Sequence, residues 1–199
     1  MYNYDEIVEL LSGKDFNNIT ELYYYLASNT TWNNENDIVK FFHDNEITDQ
    51  ELLDNWTDII LPRNMFNGVE LIDTHIEIPE NIIKIQYGAF ADSNIVSINC
   101  PGVETLHSAV FEGCSQLERI EIPKVTYISI ETFKNCSNLT RLELPKGLSN
   151  IGKHAFEGCS PDLVVSVPES WIISDEALWD ATYRNNFFGP VQWEVRGGE

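Results

Sequence analysis

A short apolar pattern recurs at a nearly constant interval through the middle of the chain. Two apolar residues flank one variable residue, proline follows, and the copies end at Pro79, Pro101, Pro123, Pro145 and Pro168. Successive prolines are 22, 22, 22 and 23 residues apart. Alternating apolar residues predict a strand with one buried face, and proline ends it because proline has no N–H to donate to a sheet. The pattern therefore predicts one short strand per repeat.

Two further apolar markers keep the same interval. Phenylalanine recurs at positions 90, 111, 133 and 156, and a cysteine follows three residues later at Cys114, Cys136 and Cys159. One such unit cannot bury its apolar face alone, so neighbouring units must stack and share a core. The sequence therefore predicts a solenoid. We expect the cysteines to be small buried thiols stacked at the repeat interval rather than disulfides.

The combined unit, Ala-Phe-x-Gly-Cys-Ser-x-Leu-x-x-Ile-x-Ile-Pro, resembles the BspA-like class of bacterial leucine-rich repeats. Residues 110–123 and 155–168 carry the match best, and the resemblance covers about residues 71–175. The resemblance implies a right-handed solenoid with a parallel sheet on one side. It also implies a non-catalytic role in protein binding.

The sequence on either side of the repeats has a different pattern. Residues 1–62 show helical spacing of apolar residues over 5–11, 18–28 and 35–44, and Thr48 to Glu51 form a capping box for a further helix. Residues 63–175 form the predicted solenoid, and the aromatic-rich residues 176–199 predict a cap on its last coil. We therefore expect an α+β repeat protein, a leucine-rich-repeat solenoid with short parallel strands preceded by a small acidic helical domain.

The acidic residues are concentrated in that helical domain. The chain has 12 basic and 32 acidic residues and a formal charge of −20, and residues 1–60 hold 13 acidic and two basic residues. This balance excludes direct nucleic-acid binding, because phosphate contacts need clusters of Lys and Arg, and it disfavours binding to anionic membranes. It favours a protein partner with a basic surface.

Nine acidic residues form the predicted partner-binding set. Six lie in a stretch that contains no basic residue, at Asp44, Glu46, Asp49, Glu51, Asp54 and Asp58. Three lie on an outward column of the predicted strands, at Glu77, Glu121 and Glu143, and Ser166 is expected in the same column. The alternative interpretation of both groups is an ordinary solvated surface.

These features predict a non-enzymatic protein-binding module. Carboxylates spaced over one face can imitate the phosphate rows of nucleic acid, as in phage-type inhibitors. The hypothesised partner is therefore a nuclease or another nucleic-acid-binding protein, which the chain would inhibit. The alternative, favoured by the family resemblance, is an extracellular protein of the adhesion or antigen type. An enzyme with a site assembled from scattered carboxylates is a third class.

No motif in the sequence points to a catalytic centre, a cofactor or a metal. Residues 147–153 match G-x-x-x-x-G-K, but His154 follows where a phosphate-binding loop needs Ser or Thr. The histidines and cysteines lack the spacing of metal ligands. The N-terminus has neither the basic nor the apolar segment of a signal peptide, so we expect a cytoplasmic protein.

Overall fold

Helices precede a stack of coils built from short parallel strands, and the structure gives the bounds of three of them. The structure, a computed structural model, describes residues 7, 10–29, 37–169, 189 and 191–196. The helices are α1 (Ile19–Asn29), α2 (Asp37–Asp44) and α3 (Asp49–Asp54). The predicted capping box of α3 is confirmed, since the Glu51 N–H donates to Thr48 Oγ1 and the Glu51 carboxylate accepts from the Thr48 N–H. Of the helix expected over residues 5–11, residues 7, 10 and 11 are helical, and the others lie outside the described residues.

The strands form two faces of the solenoid. The first face is a parallel sheet of two-residue strands in the order β1-β3-β5-β7-β9. The second face consists of two parallel sheets, β2-β4-β6 and β8-β10-β11. In chain order the strands are β1 (Ile60–Leu61), β2 (His75–Glu77), β3 (Lys84–Ile85), β4 (Ser97–Asn99), β5 (Thr105–Leu106), β6 (Arg119–Glu121), β7 (Tyr127–Ile128), β8 (Arg141–Glu143), β9 (Asn150–Ile151), β10 (Val164–Pro168) and β11 (Gln192–Arg196).

The second face contains the strands that the sequence predicts before each proline. The predicted solenoid of short parallel strands after a few helices is thus confirmed. The first face is not predicted, because each of its strands has two residues and contributes one inward side chain, such as Ile85 or Leu106. A strand of that length shows no alternating pattern from which it could be recognised.

A column of stacked phenylalanines runs through the core of the coils. Consecutive ring centroids are 5.0 to 5.8 Å apart and the rings are within 16° of parallel, from Phe66 through Phe90, Phe111 and Phe133 to Phe156. All five rings are fully buried. Trp193 packs edge-on against the last ring at 6.0 Å and closes the column. The stack therefore begins one coil earlier than the repeat in the sequence indicates.

Each coil turns at a residue with a left-handed backbone two positions after its phenylalanine. At this position φ lies between 55° and 73°, and the residues are Gly68, Asp92, Gly113, Asn135 and Gly158. Gly, Asn and Asp are the residue types that tolerate this conformation. Glycine alternates with Asp or Asn because the Asp92 carboxylate lies over Gly113, where a Cβ would collide with it.

The cysteines are buried free thiols, as predicted, and three of them connect neighbouring coils. Cys114 Sγ donates to the carbonyl of Phe90 at 2.9 Å, and Cys136 and Cys159 make the equivalent bonds at 3.1 and 3.0 Å. Burial raises the pKa of the Cys114 and Cys159 thiols to about 12. The thiols therefore stay protonated near neutral pH and donate to main-chain carbonyls of the preceding coil, each of which also accepts one main-chain N–H.

The helices and the coils share one hydrophobic core. Leu26 of α1 and Leu52 of α3 belong to the same buried cluster as the stacked phenylalanines. The β1 strand, which lies before the predicted boundary at residue 62, pairs with β3 of the coils. The helical region therefore acts as the cap that a solenoid end requires.

Candidate binding surfaces

Five of the six acidic residues predicted between positions 44 and 58 are exposed or half-buried in the cap region. Four are exposed and Asp58 is half-buried; we call this set the acidic face, which comprises Asp44, Glu46, Glu51, Asp54 and Asp58. The sequence from residue 37 to residue 61 contains one basic residue, Lys40. Its Nζ lies 3.5 Å from Asp37, outside the set. The acidic face therefore carries an excess of negative charge.

Asp49 does not belong to this surface, which corrects the prediction. Its side chain is fully buried, and Oδ2 accepts the N–H groups of Ile72 at 2.7 Å and Asp73 at 3.1 Å. Oδ1 lies 2.7 Å from His43 Nε2. The carboxylate therefore joins α2, α3 and the first coil. Composition alone does not separate this internal role from that of the exposed acids beside it.

Glu77 borders the acidic face through the side chain of Gln50. Gln50 Oε1 accepts the N–H of Glu77 and its Nε2 donates to the Glu77 carbonyl, both at 2.9 Å. The amide thereby satisfies the outer edge of β2, which would otherwise be free to pair with another strand. The same Nε2 lies 2.8 Å from Asp54, while the exposed Glu77 carboxylate accepts from Asn99 at 2.9 Å.

Exposed apolar side chains lie at another border of the acidic face. The Tyr24 hydroxyl donates to Asp58 Oδ2 at 3.0 Å, and burial, together with this contact, raises the pKa of Tyr24 to about 12. Ile59 follows Asp58 and is 50% exposed, and its carbonyl accepts the N–H of Ile83 at 2.9 Å. Ile83 is 36% exposed and Tyr24 is 40% exposed. We call these three side chains the apolar patch.

A groove of about 1040 Å³ crosses the second face of the solenoid at β6 and β8. Its basic lining residues are Arg119, Arg141, Lys146 and Arg196, and its acidic ones are Glu118, Glu121 and Glu143. Arg119 and Arg141 occupy the first positions of neighbouring strands, and Glu121 and Glu143 occupy the third positions. The groove thus combines both signs of charge, unlike the acidic face.

The acidic residues predicted on the strands do not form an unpaired acidic surface. Glu121 and Glu143 are exposed as expected, but Glu143 lies 3.2 Å from Arg196 and 3.7 Å from Arg141. Arg141 also lies 2.9 Å from Glu194. Arg196 and Glu194 belong to β11, which lies outside the repeat pattern, so no periodic signal in the sequence could have placed them here.

The outward column ends before Ser166, contrary to the prediction. Ser166 is fully buried, whereas Glu143 beside it in the sheet is exposed. Ser166 is a small side chain on the central strand of its sheet, paired between Glu143 of β8 and Glu194 of β11, and the ion pair between Arg141 of β8 and Glu194 of β11 spans it. Of the aromatic residues predicted to cap the last coil, Trp193 is among the described residues, and most of the others lie outside them.

Within the described residues, no group of three or more His, Cys, Asp and Glu side chains is placed to hold a metal ion. In that part of the chain, no helix is both long and apolar enough to cross a membrane. Its prominent surface features are therefore the acidic face, the apolar patch and the groove.

Comparison with known families identifies the repeat. The BspA type leucine rich repeat region matches residues 39–181 with six copies, so the chain belongs to this family. The match begins within α2, earlier than the expected residue 71, in agreement with the extra coil at Phe66. A leucine-rich-repeat solenoid is typically a non-enzymatic scaffold for protein binding.

A solved structure also resembles the chain. It is the crystal structure of a leucine-rich repeat protein from Bacteroides ovatus ATCC 8483, with 22% sequence identity and a TM-score of 0.47. The match covers 71% of this chain and 42% of that protein, so the chain spans less than half of its length. No curated protein matches the chain.

Proposed function

We propose that the chain is a non-enzymatic protein-binding module whose acidic face docks on a partner with a basic surface. The observation that supports this most is the position of Asp44 and Asp54, which are the last residues of α2 and α3. A helix C-terminus carries a partial negative charge, so a carboxylate there is unfavourable by roughly 0.3–1 kcal/mol. Carboxylates that weaken the fold in this way are expected to serve another purpose, and binding is the simplest one.

The partner proposed for this face is a protein that handles nucleic acid. Such a protein presents Lys and Arg side chains at positions that match the phosphates of nucleic acid. Carboxylates distributed over the cap can form ion pairs with those side chains in place of the phosphates. The excess charge also accelerates encounter with a basic surface. A chain bound there would inhibit the partner by excluding its nucleic acid.

A capture experiment tests the proposal. The tagged chain is incubated with nuclease-treated bacterial lysate, washed at low and at high salt, and the bound proteins are identified by mass spectrometry. We expect a basic nucleic-acid-binding protein that leaves at high salt, because exposed charge pairs are screened over about 8–10 Å. Double-stranded DNA should displace the purified partner. Binding that is insensitive to both salt and DNA would contradict the proposal.

Matched charge reversals locate the docking surface. The triple variant Asp44→Lys, Glu46→Lys and Asp54→Lys alters the acidic face and should weaken capture by at least about tenfold. The control triple Glu118→Lys, Glu121→Lys and Asp162→Lys makes the same change of charge at exposed positions on the coils. It should leave capture nearly unchanged. If the control triple loses the partner instead, the groove and not the acidic face is the docking surface.

A further inference from the structure

The apolar patch occupies positions where the fold itself does not require apolar residues. Ile59 and Ile83 begin a column in which each N–H donates to the carbonyl one coil earlier, and the column continues through Glu104, Thr126 and Ser149. All five side chains in this column are exposed. The later coils therefore fold with polar residues at this position. Isoleucine occurs in the two coils next to the cap.

The patch is also held in place and surrounded mainly by negative charge. Tyr24 packs against the buried Trp56 with ring centroids 5.7 Å apart, while its hydroxyl is fixed by Asp58. Exposed Glu21 lies three residues before Tyr24 on α1, and exposed Glu104 follows Ile83 in the column. Lys84 is the basic residue beside the patch and is half-buried. An apolar centre with a polar rim is the arrangement of an energetically important interface region.

We propose that the apolar patch is the anchor site for the partner of the acidic face, and that it receives apolar side chains flanked by Lys or Arg. This inference rests on the proposed function and adds a specificity element to it. Charge brings any basic protein to the cap, whereas the patch selects basic surfaces that also expose an apolar stripe. Because Tyr24 is already fixed in the free protein, little side-chain freedom is lost on binding.

Two synthetic peptides test the anchor directly. One is an amphipathic helical peptide of about 14 residues with lysines on one face and leucines on the other, and its counterpart carries serine in place of leucine. Binding of each labelled peptide to the full chain is measured by fluorescence anisotropy at several salt concentrations. We expect the leucine peptide to bind about tenfold more tightly than the serine peptide.

The variant Ile59→Thr with Ile83→Thr copies the residue that occupies the column at Thr126, so it is expected to fold. It should bind the two peptides with affinities within about twofold of each other, while the salt dependence remains. The control Ile130→Thr removes an isoleucine that is 48% exposed elsewhere on the coils, and it should keep the full preference for leucine.

The outcomes separate this inference from the proposed function. If the wild-type chain binds both peptides equally with strong salt dependence, docking by the acidic face stands and the anchor is wrong. An unchanged preference in the double variant would also overturn the anchor. If neither peptide binds, docking by charge fails and the anchor fails with it.

Discussion

The coils and the helical cap achieve burial by different means. The coils repeat their internal contacts, so that each phenylalanine packs on the next and, in three of the coils, a thiol donates to a main-chain carbonyl. The cap has no such repetition, and individual polar contacts of Asp49 and Gln50 add to the shared hydrophobic core in attaching it. The repeated interior specifies the fold, and the cap places exposed carboxylates on a surface that the repeat does not constrain.

The largest expected effect lies in the middle of the phenylalanine column. Phe111→Ala removes a fully buried ring that stacks on Phe90 and Phe133. Because the coils on both sides are fixed, the cavity cannot close, and the free energy of unfolding should fall by about 3–5 kcal/mol. Urea denaturation followed by circular dichroism measures the change. A loss below about 1 kcal/mol would show that the column is not a continuous packed core.

The stability of the junction between the cap and the first coil is expected to depend almost as strongly on one carboxylate, that of Asp49. Asp49→Ala leaves the N–H groups of Ile72 and Asp73 without their acceptor, which should lower the free energy of unfolding by about 3 kcal/mol. Asp54→Ala is the control, since this exposed residue should change stability by less than about 0.5 kcal/mol. Amide hydrogen exchange should accelerate at residues 72 and 73 in the Asp49 variant. If the two substitutions lowered the free energy of unfolding equally, the role of Asp49 in joining the cap to the first coil would be contradicted.

The close contact between neighbouring coils can be tested with two glycines of one segment. A Cβ at Gly152 would collide with the backbone of Ser129 and Ile130, whereas a Cβ at Gly147 would meet Thr126 Cγ2 at 4.0 Å. Gly152→Ala should therefore destabilise the chain by about 2 kcal/mol. Gly147→Ala should be neutral or slightly stabilising. Thermal unfolding of the two variants gives the comparison, and a tolerated alanine at 152 would argue against the observed coil spacing.

The buried thiols make the stability of the coils sensitive to alkaline pH. Burial raises the pKa of Cys114 from 9.0 to about 12 in the folded chain, so the unfolded thiol ionises first. The resulting stabilisation is complete below pH 9 and is lost as the pH rises towards 12, by at most about 1.4 kcal/mol per pH unit for each thiol. Urea unfolding across this range measures the slope. Cys114→Ala should reduce it, and an unchanged slope would mean that this thiol is accessible to water.

The sequence predicts the coils well because their interior repeats. The prolines that end the strands, the phenylalanines and the cysteines all recur at the period of the coils, so stacking and inward orientation could be derived together. Phe66 is not predicted as part of the column because no copy of the apolar-x-apolar-Pro segment precedes it at the repeat interval, where Thr57 stands 22 residues before Pro79. The strand β11 is not predicted either, because parallel pairing of residues 192–196 with β10 has no periodic signal.

The candidate surfaces are less predictable from the sequence than the coils. An acidic stretch indicates negative charge but does not separate a buried acceptor such as Asp49 from an exposed carboxylate such as Asp54. It also does not show that Glu143 meets Arg196, which lies 53 residues away in the chain. The apolar patch combines residues from α1, from the segment before β1 and from the position before β3. These residues come together only when the chain folds, so no single segment of the sequence indicates the patch.

The smallest expected change in stability tests the central claim, that Asp44, Glu46 and Asp54 of the acidic face serve binding and not folding. The measurement is urea unfolding of the triple variant Asp44→Lys, Glu46→Lys and Asp54→Lys beside the wild-type chain at low salt. Lysine at the ends of α2 and α3 complements the helix dipoles, so the variant should be more stable by about 0.5–1 kcal/mol while losing the basic partner. A loss of more than about 1 kcal/mol would show that these carboxylates support the fold, and it would contradict the claim.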